Sequence, residues 1–459
     1  MGGSRKIAYA FWLIIGVLIA NPAILDLLIE GPTQILDDVR DARLADFTAG
    51  VVSEQKSHIV SKILWPVIYC FVGFSLILNL SLFSIVRNAP PVLILFILYA
   101  LLSTFWSESP EWTAQRGLHL TGKVLVAYRL AQIFGLTEIL TYVRDCLLIV
   151  VLVGALTAIL LPELGTQSYR AETAWNGLYT HKTGLGHTAA LCSLLCIHSL
   201  MTGAGRSALT MMYLVLSLSV TALSQSATSY VALAVAVVIY TVAVKRRLSS
   251  ATISQRKNGI ILGSAFIAFS AIVAVASIEI VLEILGRDIT LSGRTDIWQG
   301  VLEMVKEKPA LGYGFFAAWR SDQLAYVLER TFIWTPSAHN SYLQCLVDLG
   351  IVGLVLFLGY LFQTCINWGK CYIRYGSEFF LVTGISLGVL LFMGMLESSL
   401  FKGQQVNWFF WVLMSISLHN VQKQSERYLK VGDISAQSNA EDITDKTKGD
   451  TFRAPGSRT

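Results

Sequence analysis

Apolar residues along this chain gather in long unbroken runs joined by polar segments, without the alternation of strands or the one-sided stripe of surface helices. Runs close to the length a helix needs to cross hydrocarbon, about 20 residues, lie near 7–25, 63–86, 90–106, 117–134, 139–161, 184–203, 208–224, 227–244, 259–282, 350–368, 378–400 and 406–421. Lipid offers no partner to a loose backbone N–H or C=O, so each run is predicted to be a helix. The pattern reads as an all-α polytopic membrane protein with about 12 transmembrane helices. One polar interruption, residues 283–349, is much longer than the rest. Inside it, Thr295 to Lys306 is predicted as a short helix, with Asp296 in the first turn and Ile297, Val301, Met304 and Val305 at helical spacing. Pro309 ends that helix, Gly312-Tyr313-Gly314 makes a turn, and Ser321-Asp322 opens a second short helix running through Glu329. A third is predicted to begin near Pro336-Ser337 with His339 at its start, and Gly350 permits a break before the next span.

Charge sorts the joints into two faces. Arg5 and Lys6, Arg87, Arg206, Lys245-Arg246-Arg247 with Arg256-Lys257, and Lys370 with Arg374 fall on one side. Short loops rich in Lys and Arg stay cytoplasmic, so both termini are expected inside and the 283–349 loop outside the membrane. Met1 to Ala20 has a charged start and an apolar run but no clean cleavage site, and reads as an uncleaved first span. Past residue 422 the chain changes character. Residues 423–459 are polar and without apolar periodicity, a disordered cytoplasmic tail following a transmembrane catalytic domain of residues 1–422.

Composition narrows the class further. Hydrophobic residues are 54% and charged residues 14% of 459 positions, against about 25% charged in a soluble domain. A net charge of +5, widely dispersed, excludes nucleic acid as a partner. Seven cysteines without a CxxC pair suit inert buried thiols better than a disulfide framework. No pair of carboxylates with metal-ligand spacing occurs in the loops, so metal independence and no cofactor are expected.

What remains in the long loop is chemistry suited to an anion. Arginine donates in parallel pairs to phosphate oxygens and is always charged, which makes Arg294 and Arg287 candidates for a diphosphate. His339 is the candidate general base, and Asn340 follows it. On the same face, His181 and Lys182 precede a span, and Arg116 stands at the outer edge of another. Interfacial anchoring is the competing role for each of these cations, and Trp298, Trp319 and Trp334 are better explained by the aromatic belt than as sugar platforms. His187 and His198 are expected to pack between helices.

Three motifs run in order along the chain. The first is Trp175-Asn176-Gly177-Leu178-Tyr179-Thr180-His181-Lys182-Thr183-Gly184-Leu185-Gly186. The second is Gly293-Arg294-x-x-x-Trp298 followed by Pro309-x-x-Gly312-x-Gly314. The third is His339-Asn340-x-Tyr342-Leu343 followed by Leu349-Gly350-x-x-Gly353. Together with the span layout they resemble the superfamily of O-antigen ligases and Wzy-type polysaccharide polymerases, in look closest to its exopolysaccharide polymerases, with Thr183 where that family usually has Asn.

The resemblance implies a GT-C-like membrane glycosyltransferase of the bacterial inner membrane. Such an enzyme joins undecaprenyl-diphosphate-linked oligosaccharides, donor to acceptor, by inverting displacement on the outer face. It also implies a flippase and a chain-length regulator as partners in the same export system, besides membrane lipids. A ligase that transfers the glycan to lipid A core shares these motifs and stays open. A flippase or transporter fits less well, because ionisable residues other than Lys123, Arg129, Asp145 and Glu279 concentrate in one loop instead of mid-span and no internal repeat is visible.

Overall fold

The computed structural model describes residues 3–24, 27, 59–79, 88–169, 172–203, 207–245, 252–253, 294–320, 337–401 and 406–426. Helices stand on eleven of the predicted runs: α1 (Gly3–Ala20), α2 (Ile59–Asn79), α3 (Pro91–Leu102), α4 (Pro110–Ile133), α5 (Leu136–Leu160), α6 (Lys182–Thr202), α7 (Ser207–Leu223), α8 (Ala227–Lys245), α10 (Ser341–Tyr375), α11 (Glu378–Leu396) and α12 (residues 406–426). The short loop helix is α9 (Arg294–Glu307). The run at 259–282 and the helix expected from Ser321 through Glu329 lie outside the described residues. Five of the helices, α5, α6, most of α8, α10 and α11, are each long and apolar enough to cross a membrane, so this is a multi-pass membrane protein.

The all-helical expectation needs one correction. Between α5 and α6 the chain forms an antiparallel hairpin, β1 (Thr166–Tyr169) with β2 (Glu172–Trp175), in which Thr166 pairs with Trp175 and Tyr169 with Glu172. This polar stretch is too short for a stable helix. Its base is closed because the N–H groups of Asn176 and Gly177 both donate to the Gly165 carbonyl, at 3.0 Å each. The hairpin delivers the chain to His181, which caps α6. The last helix also runs through residue 426, into the segment that composition assigns to the tail.

At the centre sits α12, with every residue from 406 to 418 buried. A helix apolar all round belongs inside a bundle, and this one does. Phe96 of α3, Phe357 of α10, Trp408 of α12 and Phe401 interlock there, with ring centroids 5.6 Å apart for Phe96–Phe357, 6.0 Å for Phe96–Trp408 and 5.6 Å for Phe357–Phe401. Around them α6 packs on α5, α7 and α8, while α10 packs on α3 and α11. The outward faces present residues such as Phe71, Phe74, Leu95 and Phe362, as a lipid-facing surface requires.

Candidate active site

The site is built on a break in α10. Gly350 has φ 65° and ψ −169°, a conformation open to glycine alone, and it interrupts the hydrogen-bond ladder in mid-helix. The groups freed there are taken up by the loop. Tyr313 N–H donates to the Val347 carbonyl at 3.2 Å, Gly314 N–H to that of Asp348 at 2.8 Å, and the Tyr99 hydroxyl to that of Leu349 at 3.1 Å. In return, Ile351 N–H donates to the Pro309 carbonyl at 2.9 Å. The Pro309–Gly314 motif and the Leu349–Gly353 motif, far apart in sequence, therefore form one joint.

Two buried side chains brace it. Asp348 accepts from Gln344 Nε2 at 2.9 Å and from Ala318 N–H at 3.3 Å, while Gln344 Oε1 accepts from Ala338 N–H at 3.0 Å. A small separate core of Ile297, Val301, Met304, Tyr313, Trp319 and Val347 fastens α9 to the same place. The Tyr313 hydroxyl donates to Glu307 at 3.1 Å, and burial together with that carboxylate holds it well above the usual phenol range.

His339 is clamped between fixed neighbours. On one side the Ala338 carbonyl accepts from Trp298 Nε1 at 2.9 Å. On the other, Asn340 caps α10 by accepting from the N–H groups of Tyr342 and Leu343 at 2.9 and 3.0 Å, and its own N–H donates to Ser398 Oγ at 3.2 Å. The result is φ 45° at His339, a backbone conformation that is uncommon for a residue with a side chain. Such strain costs about 1–3 kcal/mol and collects where geometry matters for function. The expected helix beginning near Pro336 therefore begins later, at Ser341, and His339 stands just outside it.

The strained backbone directs the His339 ring onto a carboxylate. Its Nδ1 lies 2.9 Å from Glu397 Oε2, at the end of α11, and Glu397 is 9% exposed. Ser341 Oγ donates to the Glu397 carbonyl at 2.8 Å and accepts from Leu400 N–H at 3.1 Å, so the start of α10 and the end of α11 are locked together. The carboxylate fixes which ring nitrogen carries the proton and leaves Nε2 on the side away from it. A second imidazole stands close by: the His181 ring centroid is 6.4 Å from that of His339.

Lys182 is the first residue of α6 and is 6% exposed. The Arg116 guanidinium lies over the Trp112 ring at 4.0 Å and 6.0 Å from the Phe316 ring. Phe316, also at positive φ (64°), stacks on Phe401 with 5.9 Å between centroids and 6° between planes, and Phe401 follows the turn that begins at Glu397. Arg294 opens α9, one turn before Trp298. Its side chain and the whole of Arg287 lie outside the described residues.

His339, Asn340 and His181 thus come together, while Arg116 meets Phe316, whose ring stacks on Phe401 after the Glu397 turn. Trp298 serves as a structural donor, and His187 and His198 are inter-helix contacts, to Thr228 Oγ1 at 3.0 Å and the Tyr240 hydroxyl at 2.9 Å. Among the described residues no group of three His, Cys, Asp or Glu is placed to hold a metal ion. Sequence reasoning missed Glu397. One signal pointed to it: no other carboxylate occurs between Glu378 and Glu426.

Comparison with known proteins agrees with the motif resemblance. Residues 212–358 match the O-antigen ligase family model, a stretch that contains Arg294, the Gly350 break and His339. The chain is 28% identical over 284 residues to the exopolysaccharide production protein ExoQ of Rhizobium meliloti (strain 1021), covering 57% of this chain and 61% of that protein. It is also 28% identical over 225 residues to a putative polysaccharide ligase of Rickettsia felis (strain ATCC VR-1525 / URRWXCal2), covering 45% and 52%. A putative polysaccharide ligase of Rickettsia conorii (strain ATCC VR-613 / Malish 7) is 40% identical over 73 residues. The matches span less than two thirds of the length of these relatives.

Proposed function

We propose that this protein is a membrane glycosyltransferase, with about twelve spans, that joins lipid-diphosphate-linked oligosaccharides on the outer face of the bacterial inner membrane. The observation that carries the reading is the His339–Glu397 pair, in which His339 is held by a strained backbone and lies within the segment that matches the O-antigen ligase family, while Glu397 lies beyond that segment. In the reaction, an acceptor sugar hydroxyl attacks the anomeric carbon of the donor. His339 Nε2 takes the hydroxyl proton as the new C–O bond forms, and Glu397 stabilises the imidazolium produced. The anomeric C–O bond to diphosphate breaks on the opposite face, and the leaving lipid diphosphate keeps the electron pair. The configuration is therefore inverted.

The leaving group's charge is assigned to fixed cations: Arg294 and Arg287 from the loop, with Lys182 and Arg116 from the helices. A metal ion is not needed in this scheme. Lys182 supports the assignment on physical grounds. A cation in the first turn of a helix opposes the helix dipole, and a nearby anion relieves that cost.

Undecaprenyl diphosphate is the proposed carrier, and a flippase and chain-length regulator are the proposed partners. Polymerase is favoured over ligase because the match to an exopolysaccharide production protein, 284 residues, is longer than those to the two putative polysaccharide ligases, 225 and 73 residues. The deciding experiment is deletion followed by analysis of surface glycans. Loss of high-molecular-weight exopolysaccharide with lipid A core unaltered is the expected result. Loss of a polymer attached to core would establish the ligase reading instead, and unchanged glycans would remove both.

A further inference from the structure

At the far end of α10, about seven turns beyond Ser341 and roughly 40 Å along the axis, a cavity of about 360 Å³ opens between α10 and α12. Four buried polar atoms that line it have no hydrogen-bond partner in the protein: Gln363 Oε1, Asn367 Nδ2, His419 Nε2 and Gln422 Oε1. Asn367 is 5% exposed. One such atom is a local imperfection. Four around a single cavity, donor and acceptors together, offer a ligand a set of hydrogen-bonding groups that the protein itself does not satisfy, and each left unsatisfied would cost about 1–3 kcal/mol.

The chemistry of the lining defines the occupant. Lys370 and Lys423 supply two cations, and Lys423 Nζ also donates to Asn88 Oδ1 at 3.4 Å. The carboxylate in the lining, Glu426, accepts from Gln422 Nε2 at 3.0 Å. The cavity therefore suits a group with anionic and hydroxyl oxygens. Its wall continues into apolar surface through Phe362 and Ile366, which are 67% and 40% exposed on the lipid-facing side of α10. A polar floor with two lysines, open to an apolar flank, has the shape of an amphiphile. Basic pockets between membrane helices bind anionic lipid headgroups in this way.

We propose that this cavity seats the headgroup of an anionic glycerophospholipid from the leaflet opposite the His339 site. The phosphate lies between Lys370 and Lys423, the headgroup hydroxyls meet Gln363, Asn367, His419 and Gln422, and the acyl chains run along Phe362 and Ile366. The lipid then ties α10, which carries the His339 corner at its other end, to the central helix α12.

Native mass spectrometry of the full chain provides the test, after release from nanodiscs of equal parts phosphatidylcholine, phosphatidylethanolamine and phosphatidylglycerol. Phosphatidylglycerol is expected to be retained over the two zwitterionic lipids. Lys370→Ala combined with Lys423→Ala should cut its retention at least about fivefold. Asn367→Leu, which leaves the cations in place, should cut it too, and Lys306→Ala in the outer loop should leave it unchanged. Equal retention of all three lipids, or wild-type retention by the cavity variants, would overturn the proposal. So would abolition by millimolar inorganic phosphate, which reassigns the cavity to a free anion.

Discussion

At the scale of single residues, the pairing of His339 with Glu397 supports the proposed base over a helix cap. A cap would use its side chain on the helix N–H groups, but Asn340 already performs that task and the His339 ring turns to the carboxylate. His339→Ala is expected to lower the joining rate by about 10²–10⁴-fold while lipid-linked donor still binds, so unpolymerised repeat units accumulate. Polymerisation by this variant above about a tenth of the wild-type rate would pass the role to His181. Glu397→Gln keeps the shape of the side chain and removes the charge that supports an imidazolium. It should slow the reaction by at least about tenfold with unchanged donor affinity and thermal stability, and Glu397→Asp should restore part of the rate. If rate and stability instead fall together, Glu397 is only a lock between α10 and α11.

Arg294 invites a different substitution. Lysine retains the charge but not the two parallel donors that a diphosphate takes, so Arg294→Lys is expected to lose most activity. Insertion and yield should be normal, because the residue opens a short loop helix. Wild-type polymer from this variant would leave Arg294 as an interfacial anchor.

At the scale of elements, the joint between loop and broken helix is the feature most sensitive to one added methyl. A Cβ at Gly350 would meet the Ala310 carbonyl oxygen at 2.2 Å, and backbone cannot yield as a flexible side chain would. The left-handed φ adds about 1–3 kcal/mol for any other residue. Gly350→Ala should therefore lower the unfolding temperature in detergent and abolish polymer formation together. Gly359→Ala, in the same helix, meets nothing closer than a Val92 methyl at 3.5 Å and should be tolerated. Equal stability of the two variants would mean that α10 can straighten without cost and that the joint does not hold the loop.

At the scale of the whole molecule, the proposed reaction requires the His339 corner outside the membrane and the Lys370–Arg374 end of α10 inside. Lys306 and Arg374 are both exposed and lie toward opposite ends of the described structure of α9 and α10. In a background carrying Cys70→Ser, since Cys70 is exposed, Lys306→Cys should react with an impermeant maleimide in intact spheroplasts. Arg374→Cys should react only after permeabilisation. The reverse pattern would sink the topology and, with it, the outer-face reaction.

Hydrophobic run length by itself determined where eleven of the described helices lie, because a backbone in lipid has no alternative to pairing within its own segment. Glycine and proline likewise mark the breaks at Pro309, Gly312 and Gly350 without reference to any tertiary contact. Local signals carry such features, since each depends on the residue itself and its neighbours in sequence. What local signals cannot carry is partnership across the bundle. The His339 carboxylate comes from Glu397, 58 positions away, and the carbonyls freed at Gly350 are met by Tyr313, Gly314 and Tyr99. The short hairpin before α6 also depends on closure at Gly165, which only the folded chain supplies. Tertiary structure alone set a histidine beside an asparagine against a carboxylate, as the proposed base requires, because the strained backbone that aims it is held by Trp298, Gln344 and Ser398 from three separate parts of the chain.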